Sequence, residues 1–386
     1  MPRALIPIYA IVFLDVLGLT ILIPLLPALA ARTHASTTLM GLAISTTALC
    51  AALSSTFWGR LSDRIGRKPV LLMSQGFSLV GYVVLAFASS LPVLFLSRAI
   101  EGFGGGNIGV AQSLIADVTA PAQRERAFAY AGAAFGVGFV VGPVLAGQLL
   151  RFGLAVPFFV AAALQATDLV LTMRYVPRIS SAVQRTANDN GTLRAALKRA
   201  ALRGALGRQL LYILAFTYLF TIFGLYLDRE LGLPGEISSL LLGLAGAIGA
   251  AAQIVFAARL ERRLGDRRLA QAAFAAAFIA YVALGFVHGS LTYFAGVLVL
   301  WAASGALLQP TLAKQIAGAA PPQARGTVLG LADALNNGAM IVSPLAAALV
   351  LEHAPWAIGI APALCMAFAI AMGSVRSVTN GSAPSL

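Results

Sequence analysis

The sequence predicts an all-α membrane protein with twelve transmembrane helices, arranged as two pseudo-symmetric six-helix bundles. Three observations support this fold class: a very apolar composition, positive charge in every second loop, and an internal repeat. Of the 386 residues, 59% are hydrophobic and 11% are charged, whereas a soluble domain has about 25% charged residues. This composition excludes a soluble enzyme and predicts a polytopic membrane protein, because each spanning helix needs about 20 apolar residues.

Twelve apolar stretches are long enough to cross a membrane. The predicted spans lie near residues 5–30, 37–58, 69–89, 92–117, 124–149, 153–175, 207–228, 236–258, 268–288, 290–316, 326–350 and 355–374. The sequence therefore predicts an N-terminal bundle at 1–177, a cytoplasmic linker at 178–206 and a C-terminal bundle at 207–386. The linker is predicted to form either a basic amphipathic helix on the membrane surface or an ordinary connection held by anionic lipid.

Positive charge predicts the orientation, because cytoplasmic loops carry an excess of Lys and Arg. Of the 27 Lys and Arg residues, Arg32, Arg151 and Arg229 fall in odd-numbered loops and Arg98 falls inside the fourth span. The others lie at the termini, in even-numbered loops or at the span ends next to those loops, so both termini are expected in the cytoplasm. The same placement accounts for the net charge of +13 without nucleic acid as a partner.

The two halves of the chain are related by an offset of about 200 residues. The matching features are R-L-x-x-R-I-G at 60–66 with R-L-x-x-R-L-G at 259–265, A-P-x-Q at 120–123 with A-P-x-Q at 320–323, and Pro143 with Pro344. Such repeats are typical of secondary transporters, whose substrate site lies between the halves near the middle of the membrane. A channel can also be built from repeats, so the repeat alone does not prove transport.

The loop after the second span carries the basic run 59–68. Its glycines allow tight turns and close helix approach, and Asp63 can cap a helix end or pair with a nearby Arg, closing the cytoplasmic side. The other interpretation is that the basic residues only set topology. In the second half Arg262 occupies the position that corresponds to Asp63, so only the first half could make this closing contact. The predicted gate residues are Gly59, Asp63, Arg64, Gly66, Arg67 and Lys68.

The fifth span contains a series of glycines from Gly132 to Gly147, with a proline near its end. Glycines four residues apart make a smooth helix face for close packing, and Pro143 removes a backbone hydrogen bond and permits a bend. The predicted motif residues are Gly138, Gly142, Pro143 and Gly147.

Ionisable side chains inside the spans are the candidates for proton coupling, because charges at membrane depth are costly and usually functional. Arg98 and Glu101 are three residues apart in the fourth span and share a helix face. Asp15 in the first span and Asp333 in the eleventh complete this group. A structural hydrogen bond or ion pair is the alternative role. Polar candidates for a substrate cavity are Asn107, Gln112, Gln253, Gln309, Asn336 and Asn337.

The run 59–68 resembles the signature G-x-L-x-D-R-x-G-R-K of the major facilitator superfamily. The fifth span resembles G-x-x-x-G-P-x-x-G-G, which marks drug/proton antiporters in that superfamily, with Ala146 replacing one glycine. The fourth span resembles R-x-x-Q-G, with Glu101 in place of Gln. From Asp15 to Gly147 the chain is similar to bacterial tetracycline/proton antiporters and their multidrug relatives. This resemblance implies the major facilitator fold, the bacterial cytoplasmic membrane, and export of amphipathic compounds in exchange for protons.

One departure from the resemblance concerns the substrate. Tetracycline antiporters carry further buried acids in the third and ninth helices, where Gly81 and Ala277 stand here, and a His in the eighth, which this span lacks. Tetracycline itself is therefore not implied, and proton coupling rests on Asp15, Glu101 and Asp333.

Two other functions remain open at this point. One is a transporter for a sugar, amino acid or siderophore; the other is a non-transporting receptor on the same fold. No nucleophile and base are arranged for catalysis, and no cofactor or metal is expected. The expected partners are a small-molecule substrate, protons and membrane lipids, and the protein is expected to be a monomer.

Overall fold

The structure is a computed structural model. It describes residues 5–105, 111, 114–115, 119, 123–176, 196–287, 289–321 and 325–379. Within this part of the chain the regular structure is entirely helical, which confirms the predicted fold class.

The first of two compact units comprises Met1–Val183 and Thr221–Gly246. Its helices are α1 (Leu5–Ile21), α2 (Leu26–Thr33), α3 (Thr37–Ile65), α4 (Arg67–Ala86), α5 (Leu91–Phe103), α6 (Arg124–Leu150) and α7 (Ala155–Tyr175). A 3₁₀ turn at Ile23–Leu25 joins α1 to α2, where Pro24 and Pro27 interrupt the α-helical hydrogen bonding.

The second unit comprises Gln184–Phe220 and Ala247–Leu386. Two helices contribute to both units, namely α8 (Ala200–Leu231) and α9 (Gly235–Ala251). The others are a π-helix (Ala252–Ala257), α10 (Ala258–Leu284), α11 (Leu291–Ala319), α12 (Arg325–His353) and α13 (Ile360–Thr379). The predicted division of the chain at 178–206 stays a prediction.

Ten helical stretches in the described residues are long and apolar enough to cross a membrane. One of them, Gly235–Leu284, covers the predicted eighth and ninth spans. The predicted fourth span begins as α5 and continues outside the described residues. Helix α8 begins at Ala200, before the predicted start at 207, so Arg203, the last basic residue of the predicted linker, belongs to this helix.

Helix packing in each unit brings together elements that are distant in sequence. In the first unit, α1 packs against α6 and α7, and α4 packs against α5 and α7. In the second unit, α10 packs against α11 and α13. Because α1 and α4 both contact α7, polar side chains from the start, middle and end of the first unit meet in its interior.

Candidate functional site

Asp15 lies inside the first unit. Its side chain, in the second half of α1, is only 7% exposed. Asp15 Oδ1 accepts a hydrogen bond of 2.9 Å from Nε2 of Gln165 on α7. The predicted proton carrier therefore faces the interior of the helix bundle, where its partner comes from a helix 150 residues further along the chain.

Asp168 is the residue that the sequence-based list of candidates missed. It lies one turn after Gln165 on α7 and is completely buried, at 0% exposure. Asp15 is its electrostatic neighbour, and no donor group in the described residues forms a hydrogen bond to either of its oxygens. The available signal was the same one that identified Asp15, an acid inside an apolar span.

Arg98 and Glu101 share one helix face, as their spacing predicts, and form a buried ion pair, the alternative role. Arg98 Nη1 donates to Glu101 Oε2 along one face of α5. The Tyr82 hydroxyl on α4 donates to Glu101 Oε1 at 3.2 Å. A Cβ atom at Gly18 of α1 would lie 3.1 Å from this hydroxyl. Tyr82 therefore joins the ion pair on α5 to the turn of α1 that follows Asp15.

These side chains form one group, which we call the acidic cluster: Asp15, Tyr82, Arg98, Glu101, Gln165 and Asp168. Tyr82 is an electrostatic neighbour of Asp15 as well as of Glu101 and Arg98. The acidic cluster contains three carboxyl groups and one guanidinium. It has the ingredients for proton exchange, namely carboxyl groups held together away from bulk water.

Gly81 explains how α4 and α5 come so close beside the acidic cluster. A Cβ atom at this position would lie 2.8 Å from Glu101 Cβ and 3.0 Å from its backbone. No side chain fits at position 81 without movement of α5. Beside Gly81, the carboxylate is therefore that of Glu101 on α5, and α4 supplies no side chain there.

A line of polar side chains continues from the acidic cluster along α7. Thr172 lies one turn beyond Asp168, and its hydroxyl accepts a hydrogen bond of 3.0 Å from Gln75 Nε2 on α4. Both residues are fully buried. At the end of the same helix, Lys68 Nζ donates to the Met173 carbonyl at 2.6 Å. Polar contacts thus extend from Asp168 to the loop that carries the basic run.

The predicted gate motif forms a one-residue connection between two helices. Helix α3 ends at Ile65 and α4 begins at Arg67, and Gly66 between them has φ 96°, a conformation that favours glycine. Arg67 Nη1 donates to Ser62 Oγ at 2.6 Å. Arg64 is exposed, Gly59 has open space around its Cα atom, and the Asp63 side chain lies outside the described part of the structure.

The predicted glycine motif of the fifth span lies in α6 and packs against two other helices. A Cβ atom at Gly138 would lie 3.0 Å from the Phe13 carbonyl, and one at Gly142 would collide with Thr20 Oγ1 of α1. At Gly147 the neighbour is Ser239 of α9, at 2.6 Å. Pro143 lies inside the helix. The earlier glycines of the series, at 132 and 136, face open space, so the close-packed face comprises only the second part.

The polar candidates of the second half have different surroundings. Asn336 on α12 accepts a hydrogen bond of 3.2 Å from Gln209 Nε2 on α8. Asp333 and Asn337 are exposed on the same helix, as are Gln253 in the π-helix and Gln309 next to Pro310. Asn107 and Gln112 lie outside the described residues.

The interior of the second unit contains an aromatic cluster. Phe216 of α8 stacks between Phe220 and Trp301, with ring centroids 5.6 and 5.4 Å apart and planes within 10°. Trp301 Nε1 donates to the Tyr281 hydroxyl at 3.0 Å, and that hydroxyl donates to the Ala215 carbonyl at 2.9 Å. Phe216, Tyr281 and Trp301 line a small cavity together with Tyr212, Ser304 and Met366.

The fold and this internal organisation define a membrane transporter built from two related bundles. The sequence model of the Major Facilitator Superfamily matches residues 8–344 and, in a second alignment, 209–384. The chain belongs to this superfamily, and it is therefore a transporter, not an enzyme.

The relatives include proteins named for drug resistance. The chain is 27% identical to the class B tetracycline resistance protein of Escherichia coli, with 91% of each chain covered. It is 30% identical to the class G protein of Vibrio anguillarum, with 87% of each covered. Multidrug resistance protein 2 of Bacillus subtilis (strain 168) is 24% identical over 86% of this chain and 85% of the relative. The predicted relationship to tetracycline and multidrug efflux proteins is confirmed.

Solved structures agree on the fold. The human organic anion transporter MFSD10 (TETRAN) matches with a TM-score of 0.69 and 23% identity, covering 97% of this chain and 100% of that chain. A point mutant of the nucleoside transporter NupG matches with a TM-score of 0.78 and 12% identity, covering 97% of this chain and 99% of that chain.

Proposed function

We propose that this protein exports drugs or other amphipathic small molecules in exchange for protons, by alternating access. The observation that carries the proposal is the acidic cluster, in which three carboxyl groups share the interior of the first unit with one guanidinium. Full ionisation would leave an unbalanced negative charge away from water, which is unfavourable. A bound proton relieves this imbalance, and its release requires a change in the surroundings of the cluster.

Within the cluster, the pair Asp15 and Asp168 is the proposed proton site. Two neighbouring carboxylates repel each other, and they form a hydrogen bond only when one of them carries a proton. Arg98 and Tyr82 both contact Glu101 and hold its side chain beside the pair. Asp333 remains a proposed secondary site in the second unit.

The direction of transport is proposed from the relatives and from α6. The resistance proteins among the relatives carry drug resistance in their names, and the glycine-proline motif of α6 resembles that of antiporters. The aromatic cluster of the second unit favours substrates with a planar apolar part, because aromatic rings gain from stacking. We further propose a monomer in the bacterial cytoplasmic membrane with both termini in the cytoplasm, and a gating role for the segment 59–68, whose two helices are joined at Gly66.

Proton release from acid-loaded everted vesicles tests the proposal. A fluorescent pH probe would report the response to a panel of cationic, neutral and zwitterionic compounds. We expect at least one compound to cause dequenching that depends on the protein. Silence across the panel, with the protein folded in the membrane, would contradict proton antiport and point to a dedicated metabolite transporter.

The same vesicles allow a matched pair of variants. Asp15→Asn should abolish the response, whereas Asp228→Asn, at an exposed position near the end of α8, should preserve it. Counterflow of a labelled compound, which needs no proton gradient, shows whether Asp15→Asn still folds and binds. An unchanged proton response in Asp15→Asn would overturn the assignment of the site.

A further inference from the structure

A buried arginine in the second unit has no counter-ion among the described residues. Arg208 on α8 is only 6% exposed. Its guanidinium lies 4.8 Å from the centre of the Phe274 ring, and Nη1 donates to Gln315 Oε1 at 3.2 Å. Nε and Nη2 are buried without a hydrogen-bond partner among the described residues. Because a buried, incompletely bonded charge is costly, this guanidinium has capacity for an anion.

A second guanidinium lies beside the first. Arg267 on α10 is an electrostatic neighbour of Arg208, and its Nη2 donates to the Gly373 carbonyl of α13 at 2.7 Å. A Cβ atom at Gly373 would lie 3.4 Å from Arg208 Cζ, so both arginine side chains border this glycine. Arg267 is exposed and Arg208 is buried, so the pair lies where the interior of the unit meets its surface.

The nearby acidic side chains are directed to a different cation. Glu261 and Asp266 both contact Lys314 of α11. Among the ion pairs of the described residues, none includes Arg208 or Arg267. The other polar groups at this place are amides, since Gln315 contacts Arg208 and Gln271 borders Gly373. Among the described residues, two guanidinium groups and two amides therefore lie together without a carboxylate. This arrangement lacks an anion.

We propose that Arg208 and Arg267 bind the phosphate group of an anionic phospholipid. Guanidinium groups suit phosphate because their N–H donors form a planar fork that bonds two oxygens at once. The site lies near the start of α8, close in sequence to Lys198, Arg199 and Arg203. Basic residues clustered at a helix end attract anionic headgroups. Since α8 and α10 contribute one arginine each, the bound phosphate links two helices of the second unit.

Native mass spectrometry of the purified full chain in detergent tests this proposal. Phosphatidylglycerol, phosphatidylcholine and inorganic phosphate are added in separate titrations. We expect preferential binding of phosphatidylglycerol, and a weakening of at least about fivefold in Arg267→Gln and in Arg208→Gln. Arg268→Gln is the matched control, because this arginine is the exposed neighbour of Arg267 on the same helix, and it should bind phosphatidylglycerol as the unmodified protein does.

Arg267→Gln keeps the proposal testable if the buried Arg208→Gln fails to fold. Equal binding of phosphatidylglycerol by Arg267→Gln and Arg268→Gln would overturn the site. Binding of inorganic phosphate that displaces phosphatidylglycerol would overturn the lipid as the source of the phosphate group. The experiment needs no transported compound, so its outcome is independent of the proposed export function.

Discussion

The two units use the same helix positions for different chemistry. Tyr82 of the first unit and Tyr281 of the second are 199 residues apart, close to the offset of the internal repeat. Tyr82 donates to the carboxylate of Glu101. Tyr281 donates to the Ala215 carbonyl and accepts from Trp301, which is 200 residues after Glu101. A charged cluster in one unit thus corresponds to an aromatic cluster in the other.

The two units are alike, in contrast, at a glycine that breaks the helical conformation: Gly66 separates α3 from α4, and Gly265 interrupts α10. Gly66 and Gly265 have φ 96° and 73°, and each is followed within two residues by a cation. Lys68 donates to the Met173 carbonyl of α7, and Arg267 donates to the Gly373 carbonyl of α13. The internal repeat therefore gives the two units the same glycine break and the same type of main-chain contact. A few interior positions determine whether a unit contains charged side chains or stacked aromatic rings.

The largest expected effect distinguishes a variant in the acidic cluster of the first unit from one in the aromatic cluster of the second. Asp168→Asn should lower proton-driven efflux from vesicles at least about tenfold, because an amide cannot carry the exchanged proton. Phe216→Leu in the aromatic cluster should leave proton movement coupled to transport. Equal loss of coupling in the two variants would show that proton exchange is not confined to the acidic cluster of the first unit.

A second prediction concerns the residue that precedes the helix proline in each unit. Gly142 precedes Pro143 and leaves room for Thr20, whereas Ser343 precedes Pro344 and donates to the Leu214 carbonyl at 3.1 Å. Gly142→Ser should destabilise the protein by about 1–3 kcal/mol, as overpacking does. Gly136→Ser on the same helix, where space is open, should leave the melting temperature in detergent unchanged. Similar melting temperatures for both variants would contradict the close packing of α1 and α6.

The aromatic cluster is expected to influence which compounds are exported. Trp301→Phe removes the indole donor to Tyr281, and Phe216→Leu removes the central ring of the stack. Because aromatic pairs contribute about 0.5–1.5 kcal/mol beyond area burial, we expect shifts of about two- to tenfold in half-maximal concentration that differ between compounds. Uniform shifts across the compound panel would argue against a role in recognition.

The smallest effect is expected at the helix ends. Lys68→Met and Arg267→Met each remove one hydrogen bond to a main-chain carbonyl, so each should cost about 0.5–1.5 kcal/mol of stability. Arg60→Met, at an exposed position of α3, serves as the comparison in thermal unfolding. A much larger fall in melting temperature for only one of these two variants would mean that the two hydrogen bonds are not equivalent.

The sequence was sufficient for the all-helical membrane fold and for parts of the site. Hydropathy predicted the spans, and the spacing of Arg98 and Glu101 predicted that the two side chains share one helix face. The pairing of Asp15 with Gln165 and Asp168 could not be predicted, because it depends on which helices meet 150 residues apart. Likewise, glycine spacing did not reveal that Gly136 faces open space and Gly142 faces Thr20, since the rotation of α6 depends on its neighbours.

The central claim is that Asp15 and Asp168 hold an exchangeable proton in the interior of the first unit. Infrared spectroscopy of the purified protein at neutral pH tests it most directly, because a protonated carboxyl group has a carbonyl stretch distinct from that of a carboxylate. We predict such a band in the unmodified protein, its loss in Asp168→Asn, and its persistence in Asp228→Asn. An identical spectrum in Asp168→Asn, or no protonated carboxyl band in the unmodified protein, would contradict the claim.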